Sequence, residues 1–251
     1  SPTFGMVDVY SKLFHVNQFK INYNKKLQLN TEKLINSIKP NISLIILANP
    51  NSPTGTVIDK KTILKILNKA KKNNIPVLLD EAYAGFYNIS YIKLIQKYDN
   101  LIILRTFSKS FGLAGLRVGF LTANSKIIKE IYKFKPMYEI NSAAVKAVLF
   151  FQKNKKYVTQ YVKETKKGKS FFEKHCTNLG IKYLETFANF IHIKLGKKKK
   201  KIEKKLLNSK ILTRKGPGVK GFEDYLRITL GPAKEMKKVI SVLQNFYKKD
   251  V

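Results

Sequence analysis

Tryptophan is absent from this chain, cysteine occurs once, and arginine occurs four times against 45 lysines. The single cysteine, Cys176, excludes an internal disulfide and fits a reducing compartment, so a cytoplasmic location is expected. Acidic residues number 16 against 49 basic ones, which leaves a formal net charge of +33. Such a balance first suggests a polyanion partner, either nucleic acid or a membrane surface. The scarcity of arginine argues against that reading, because nucleic-acid binders use the guanidinium fork on phosphates and guanine edges. Lysine is also spread along the whole length, and it is abundant together with Asn, Ile, Tyr and Phe, the pattern of an A/T-biased coding sequence. No apolar run approaches the roughly 18 residues that a transmembrane helix needs. No charged-then-apolar opening marks a signal peptide. The three histidines, His15, His175 and His192, form no ligand spacing, so no metal is expected.

A length of 251 residues with 44% hydrophobic content is enough for one large domain or two small ones. Four short apolar runs, 44–49, 75–80, 100–105 and 117–123, close on polar or turn residues and read as buried strands of a parallel sheet. Helical patterns lie between or after them at 59–73, with Asp59 as the cap, and at 125–134. Strand–helix alternation points to an α/β layer. Residues 141–179 read as a long, largely exposed helical connection. Beyond it, strand-like runs at 183–195, 210–214 and 225–230 and a helix at 232–247 read as a smaller α+β unit. The expected division is 1–150 and 151–251. The five-lysine run Lys197–Lys201 reads as the start of a solvated helix.

Two of the rare arginines stand in RTFSKSFGLAGLRVGF, Arg105 to Phe120. Lys109 in this stretch follows a predicted buried strand, and parallel α/β sheets place functional groups just past strand carboxyl ends. A lysine in a crowded, partly dry site beside another cation has a lowered pKa and suits Schiff-base chemistry. Taken alone, it reads as one more surface lysine. It has company, however: Thr106 and Ser108 add hydroxyls, and Arg117 adds a fork suited to a phosphate. In LLDEAYAGFY, residues 78–87, Asp80 ends an apolar run, where a carboxylate needs a partner. Tyr83 follows three residues later. In ANPNSPTGT, residues 48–56, two prolines and a glycine fix a tight loop that presents Asn51 or Ser52 inward.

Taken in order, NPNSPTG, DEAY and TFSKSFGLAGLRVG resemble the fold-type I pyridoxal-phosphate enzymes, specifically the class I/II aminotransferases, and within them the histidinol-phosphate aminotransferase group. The resemblance covers nearly the whole chain. It implies an α/β, aspartate-aminotransferase-like fold: an incomplete large domain with a mostly parallel sheet, plus a small C-terminal α+β domain. It implies that Lys109 carries pyridoxal 5′-phosphate and shuttles a proton, and that Asp80 keeps the pyridine nitrogen protonated. It further implies that Tyr83 donates to the ring 3-oxygen, that Thr106, Ser108 and Arg117 hold the phosphate, and that Phe4 stacks on the ring. Arg214 in ILTRKGPG and Arg227 in YLRITLG match positions that bind a substrate phosphate or carboxylate. Asn189 in FANFI matches a position near the substrate, and residues 135–144 are expected on the substrate side. Arg105 is left as a structural residue.

Two departures from the family pattern stand out. Ser52 occupies a position where the family often has Asn, so Asn51 and Ser52 both remain candidates for the ring contact. The chain opens at the stacking aromatic without an initiator Met, and relatives carry a phosphate-binding helix N-terminus and an interface tyrosine before this point. The expectation is an N-terminally truncated homodimeric enzyme with weak cofactor binding and little activity on its own. The implied reaction moves an amino group between glutamate/2-oxoglutarate and a small phosphorylated oxo compound, such as imidazole-acetol phosphate. A decarboxylase of a phosphorylated amino acid would use the same cofactor. A basic nucleic-acid-binding module is the alternative from a different class, and it would bind with steep salt dependence. The expected partners are thus a small-molecule amino donor and oxo acceptor and a second copy, with no nucleic acid and no membrane.

Overall fold

The computed structural model of the protein describes residues 1–247, so the last four residues of the expected 151–251 unit lie outside the described residues. Two short helices come first. Helix α1 (Met6–Leu13) buries no side chain, and α2 (Thr31–Asn36) buries Leu34. The four apolar runs then build a sheet in the order β1 (Ile45–Ala48), β2 (Val77–Asp80), β3 (Leu101–Thr106), β4 (Gly119–Ala123). β1, β2 and β3 are parallel and level, with Ile45 opposite Val77 and Val77 opposite Leu101. Helix α3 (Lys60–Lys72) connects β1 to β2. Asp59 caps it by accepting a hydrogen bond from the Thr62 N–H at 2.9 Å. Ile63, Ile66, Leu67 and Ala70 form its buried face, while lysines occupy the solvent face. That face packs with Ile75, Val77, Leu79, Leu101 and Ile103 into one apolar core.

The fourth strand corrects the sequence reading: β4 runs antiparallel to β3, from Ile102 opposite Ala123 to Thr106 opposite Gly119. A parallel return needs a long crossover, usually a helix. The segment 107–118 is instead a closed loop, held by Leu113 N–H to Phe107 O at 3.0 Å and Phe107 N–H to Val118 O at 3.1 Å. A Cβ on Gly119 would stand 2.6 Å from the Arg105 carbonyl oxygen, so only glycine lets β4 start this close to β3.

The helical stretch at 141–179 is also more than a connection. After α4 (Ser125–Tyr132) it divides into α5 (Ser142–Lys153) and α6 (Lys155–Asn178) at Asn154, which closes α5 by bonding the Phe150 carbonyl. Helix α6 buries Thr165, Gly168, Phe172 and Cys176. The second sheet is antiparallel throughout, in the order β5 (Tyr183–Leu184), β6 (Phe190–Lys194), β8 (Tyr225–Thr229), β7 (Arg214–Lys215). Its strands pack with α6, α7 (Lys199–Asn208) and α8 (Ala233–Tyr247) around Ile191, Ile193, Leu226 and Leu243. The expected run 183–195 is therefore two strands. Residues 185–189 leave the sheet because the Phe187 N–H bonds the Gly55 carbonyl at 2.9 Å, tying this bend to the loop after β1. The expected strand 210–214 shrinks to the pair at 214–215, because Lys210 takes a left-handed φ of 59° directly after α7. Among the described residues no helix is long and apolar enough to cross a membrane.

Candidate active site

Parallel, level strands bring their carboxyl ends to one edge, where Ala48 lies opposite Asp80 and Asp80 opposite Leu104. Three loops leave from that edge, 49–56, 81–91 and 107–118, and each carries candidate residues. The Asp80 carboxylate accepts the Ala82 N–H at 2.8 Å, which turns the chain out of β2. Burial pushes its pKa up and the neighbouring Glu81 adds to this, while the Ala82 N–H and Lys109 act the other way. Tyr83 is buried, edge-on to Phe190 with ring centroids 5.6 Å apart. Burial also raises the pKa of its phenol, against a hydrogen bond from Ser52 and the charge of Arg227. The Lys109 ammonium stands 5.7 Å from the Tyr83 ring centroid. Its pKa is lowered by burial first, then by the cations of Arg227 and Arg117, with Asp80 opposing. Asp80, Tyr83, Lys109, Arg117 and Arg227 thus form one electrostatically linked group.

The other candidates fall around it. Thr106 Oγ1 accepts the Ser108 N–H at 3.0 Å. Arg117 is exposed, holds a left-handed φ of 54°, and donates from Nη1 to the Ala114 carbonyl at 2.9 Å. The Asn51 amide is fully engaged: Oδ1 accepts from Thr3 Oγ1 at 2.9 Å, and Nδ2 donates to Pro2 O at 3.1 Å and Thr54 Oγ1 at 2.8 Å. Ser52 is the neighbour that faces Tyr83. The bonds from Asn51 hold residues 2 and 3 against the loop, which leaves Phe4 beside it and 53% exposed. Arg227 is half-buried, with its guanidinium carbon 4.8 Å from the Phe190 ring centroid. Arg214 stands directly opposite it across the β7–β8 ladder, and its charge reaches Arg227. Like charges placed opposite each other in a sheet repel, unless an anion lies between them. Asn189 is partly buried, and its carbonyl accepts the Leu230 N–H at 2.8 Å. Residues 135–143 are exposed.

Two groups escape the sequence reading. Glu81, 2% exposed, forms an ion pair with Arg105 at 2.7 Å. The signal was present, since a charged residue following a buried strand needs a partner and Arg105 is one of four arginines. His192 on β6 is fully buried and lies 2.6 Å through Nε2 from the Pro53 carbonyl, joining the second sheet to the 49–56 loop. Nothing in the local sequence announces that contact. A groove of about 790 Å³ beside β1 and another of about 390 Å³ beside Tyr23 are lined by neither Lys109 nor Asp80. The chemistry of the side chains, not the size of a void, locates the site. No cluster of three metal-ligating side chains occurs among the described residues.

Comparison with known proteins gives the family and the fold. The family of class I and II aminotransferases matches residues 1–243. A histidinol-phosphate aminotransferase of Carboxydothermus hydrogenoformans is 37% identical over 97% of this chain and 68% of its own length. The crystal structure of the histidinol-phosphate aminotransferase from Clostridium acetobutylicum superposes with a TM-score of 0.88 over 98% of this chain and 76% of that one, at 23% identity. That of the Sinorhizobium meliloti histidinol-phosphate aminotransferase in complex with pyridoxal-5′-phosphate gives 0.84 over 97% and 69%, at 21% identity. The chain belongs to the class I and II aminotransferases, a pyridoxal-phosphate-dependent family, and it has their fold. The donor set fits that cofactor. It offers an amine with a lowered pKa, a partly buried carboxylate that forms no close ion pair among the described residues, a buried phenol, and hydroxyls and a guanidinium suited to phosphate.

Proposed function

We propose that this aminotransferase chain moves an amino group between glutamate/2-oxoglutarate and a small phosphorylated oxo compound of the kind histidinol-phosphate aminotransferases handle. The observation that carries the reading is the convergence of Arg227 with Lys109, Tyr83 and Arg214. A half-buried guanidinium next to an amine, facing a second arginine, needs an anionic ligand. Residues 1–150 would hold the cofactor and residues 151–251 would complete the substrate side, in a homodimer.

When bound, pyridoxal phosphate withdraws electrons from the substrate's α-carbon, so that the proton there becomes acidic. The chain's own residues supply the rest. With its pKa lowered, Lys109 Nζ is available as a neutral amine at lower pH than an ordinary lysine, and it accepts and returns that proton. Asp80, partly buried, would supply the anion for the ring nitrogen. Tyr83, with Ser52 beside it, would offer its phenol proton to the ring oxygen. Thr106, Ser108 and Arg117 would hold the phosphate, and Phe4 would pack against the ring. Arg214, Arg227 and Asn189 orient the substrate's distal anion and carboxylate, with Arg227 kept in place by Phe190.

The test is to mix the protein with pyridoxal phosphate, reduce with borohydride, and map the pyridoxyl group by mass spectrometry. Selective labelling of Lys109 among the 45 lysines is expected. Labelling scattered over the surface lysines would reject the reading. Release of carbon dioxide without an oxo acceptor would replace transamination by decarboxylation.

A further inference from the structure

We propose that the Arg105–Glu81 ion pair is a positioning element of the site: it clamps the turn after β2 so that Asp80 and Tyr83 are held toward Lys109. The proposal rests on the role given above to those three residues. Pairing of β2 with β3 places Asp80 opposite Leu104, which brings the next residues, Glu81 and Arg105, together just past the strand ends. One buried carboxylate then fastens both ends of the 81–91 loop. Glu81 Oε2 accepts from Arg105 Nε at 3.0 Å, Arg105 Nη2 at 2.7 Å and Ser90 Oγ at 2.9 Å, and Oε1 accepts the Tyr91 N–H at 2.6 Å. Arg105 also donates to Ser90 Oγ. The loop closed in this way carries Tyr83 and leans on the residue after Lys109: a Cβ on Gly85, whose φ is +96°, would meet Ser110 Cβ at 3.0 Å.

This arrangement also sorts two adjacent carboxylates. Glu81 takes the guanidinium, and among the described residues Asp80 is left without a contact cation and can serve the cofactor. A lysine could not replace Arg105, because the role needs a planar fork that reaches one carboxylate oxygen twice and a hydroxyl as well. In a chain with 45 lysines, that requirement explains an arginine at this position.

The decisive variants are R105K, which keeps the charge and loses the fork, and R105Q, which loses both. Lys109 reactivity toward an acetylating reagent is measured peptide by peptide across pH, together with amide exchange of residues 82–91, thermal midpoint and the pyridoxal phosphate dissociation constant. In both variants we expect exchange over 82–91 to quicken by about tenfold as the loop opens locally. The Lys109 titration midpoint should rise toward that of an ordinary lysine, because the open loop lessens its burial, the largest cause of the lowered pKa and larger than the opposing Asp80 charge, and pyridoxal phosphate should bind about tenfold more weakly. If R105K keeps the wild-type midpoint and exchange, Arg105 acts as a charge alone and the proposal fails. A lower thermal midpoint with Lys109 and residues 82–91 unchanged would make the pair merely structural, and the proposal fails equally. Should R105Q not fold, R105K decides. Acetylation and exchange require no cofactor. They therefore judge the clamp even if borohydride labelling scatters, an outcome that would fail the functional reading and not the positioning.

Discussion

The two sheets contribute functional groups by different geometry. In the first, three parallel strands end level, and chemistry sits on the last strand residues Asp80 and Thr106 and on the loops just beyond, at Ser52, Tyr83 and Lys109. In the second, antiparallel strands carry side chains within the ladder itself, where register sets Arg214 opposite Arg227 and Arg227 opposite His192. A strand-end group is aimed by its loop and is adjustable. Arg227, in the middle of β8, is aimed by pairing on both sides, and Arg214, on the edge strand β7, by pairing on one. On the proposed reading, the cofactor-holding residues gather at the first sheet and the substrate-orienting residues at the second.

The contrast is broken most forcefully at the joint between the sheets. His192 bonds the Pro53 carbonyl at 2.6 Å, and burial pushes the ring's pKa down to about 4 from 6.5. Because the folded pKa lies below the unfolded one, the unfolded chain takes up a proton first. Stability from this group is fully present above pH 6.5 and is lost as pH falls toward 4. The whole gap corresponds to on the order of 3 kcal/mol. H192Q keeps an N–H donor and does not titrate. Its denaturant-derived stability should fall less between pH 7 and pH 4 than that of the wild type, by about that amount. Parallel pH curves would mean that His192 does not carry the joint.

A smaller effect sharpens the division of labour. Arg117→Lys keeps a cation and loses the fork. It should weaken pyridoxal phosphate binding about tenfold, with little change in the KM for 2-oxoglutarate. Arg227→Lys should do the reverse, raising that KM about tenfold while cofactor affinity stays within about twofold. The cofactor constant is read from tyrosine fluorescence, since the chain has no tryptophan. If either variant moves both constants together, the sheets do not divide the task.

The same contrast explains what the sequence discloses. Ala48, Asp80 and Thr106 close apolar strands, so the strand-end loops are legible as a site from patterning, and Arg227 stands out because arginine is rare here. The direction of β4 is not legible, because an apolar run looks alike in either sense and the short loop 107–118 decides it. Nor is the break within 183–195, whose cause is a bond from Phe187 to distant Gly55. The choice between Asn51 and Ser52 turns on Asn51 being occupied by Pro2, Thr3 and Thr54, and contacts across such distances in sequence have no local signature.

The smallest effect concerns Asp80, and there the first sheet gives up stability for readiness. Burial holds the carboxyl's pKa above its ordinary value, so the proton it binds when folded favours the folded state at low pH. That contribution is fully present below the unfolded pKa and is lost as pH rises through the folded one. The ionised form of Asp80 is therefore disfavoured by folding. Asp80→Asn retains an oxygen for the Ala82 N–H and removes the charge. It should raise the stability of the cofactor-free protein at pH 7 by about 0.5–2 kcal/mol, the usual size of a single stabilising substitution. The gain should vanish near pH 3, where the wild-type carboxyl is already protonated, and pyridoxal phosphate should bind the variant more weakly. An Asn variant that is less stable at pH 7 would mean that Asp80 is held by a partner already in place, and its carboxylate would then not be the one kept free for the ring.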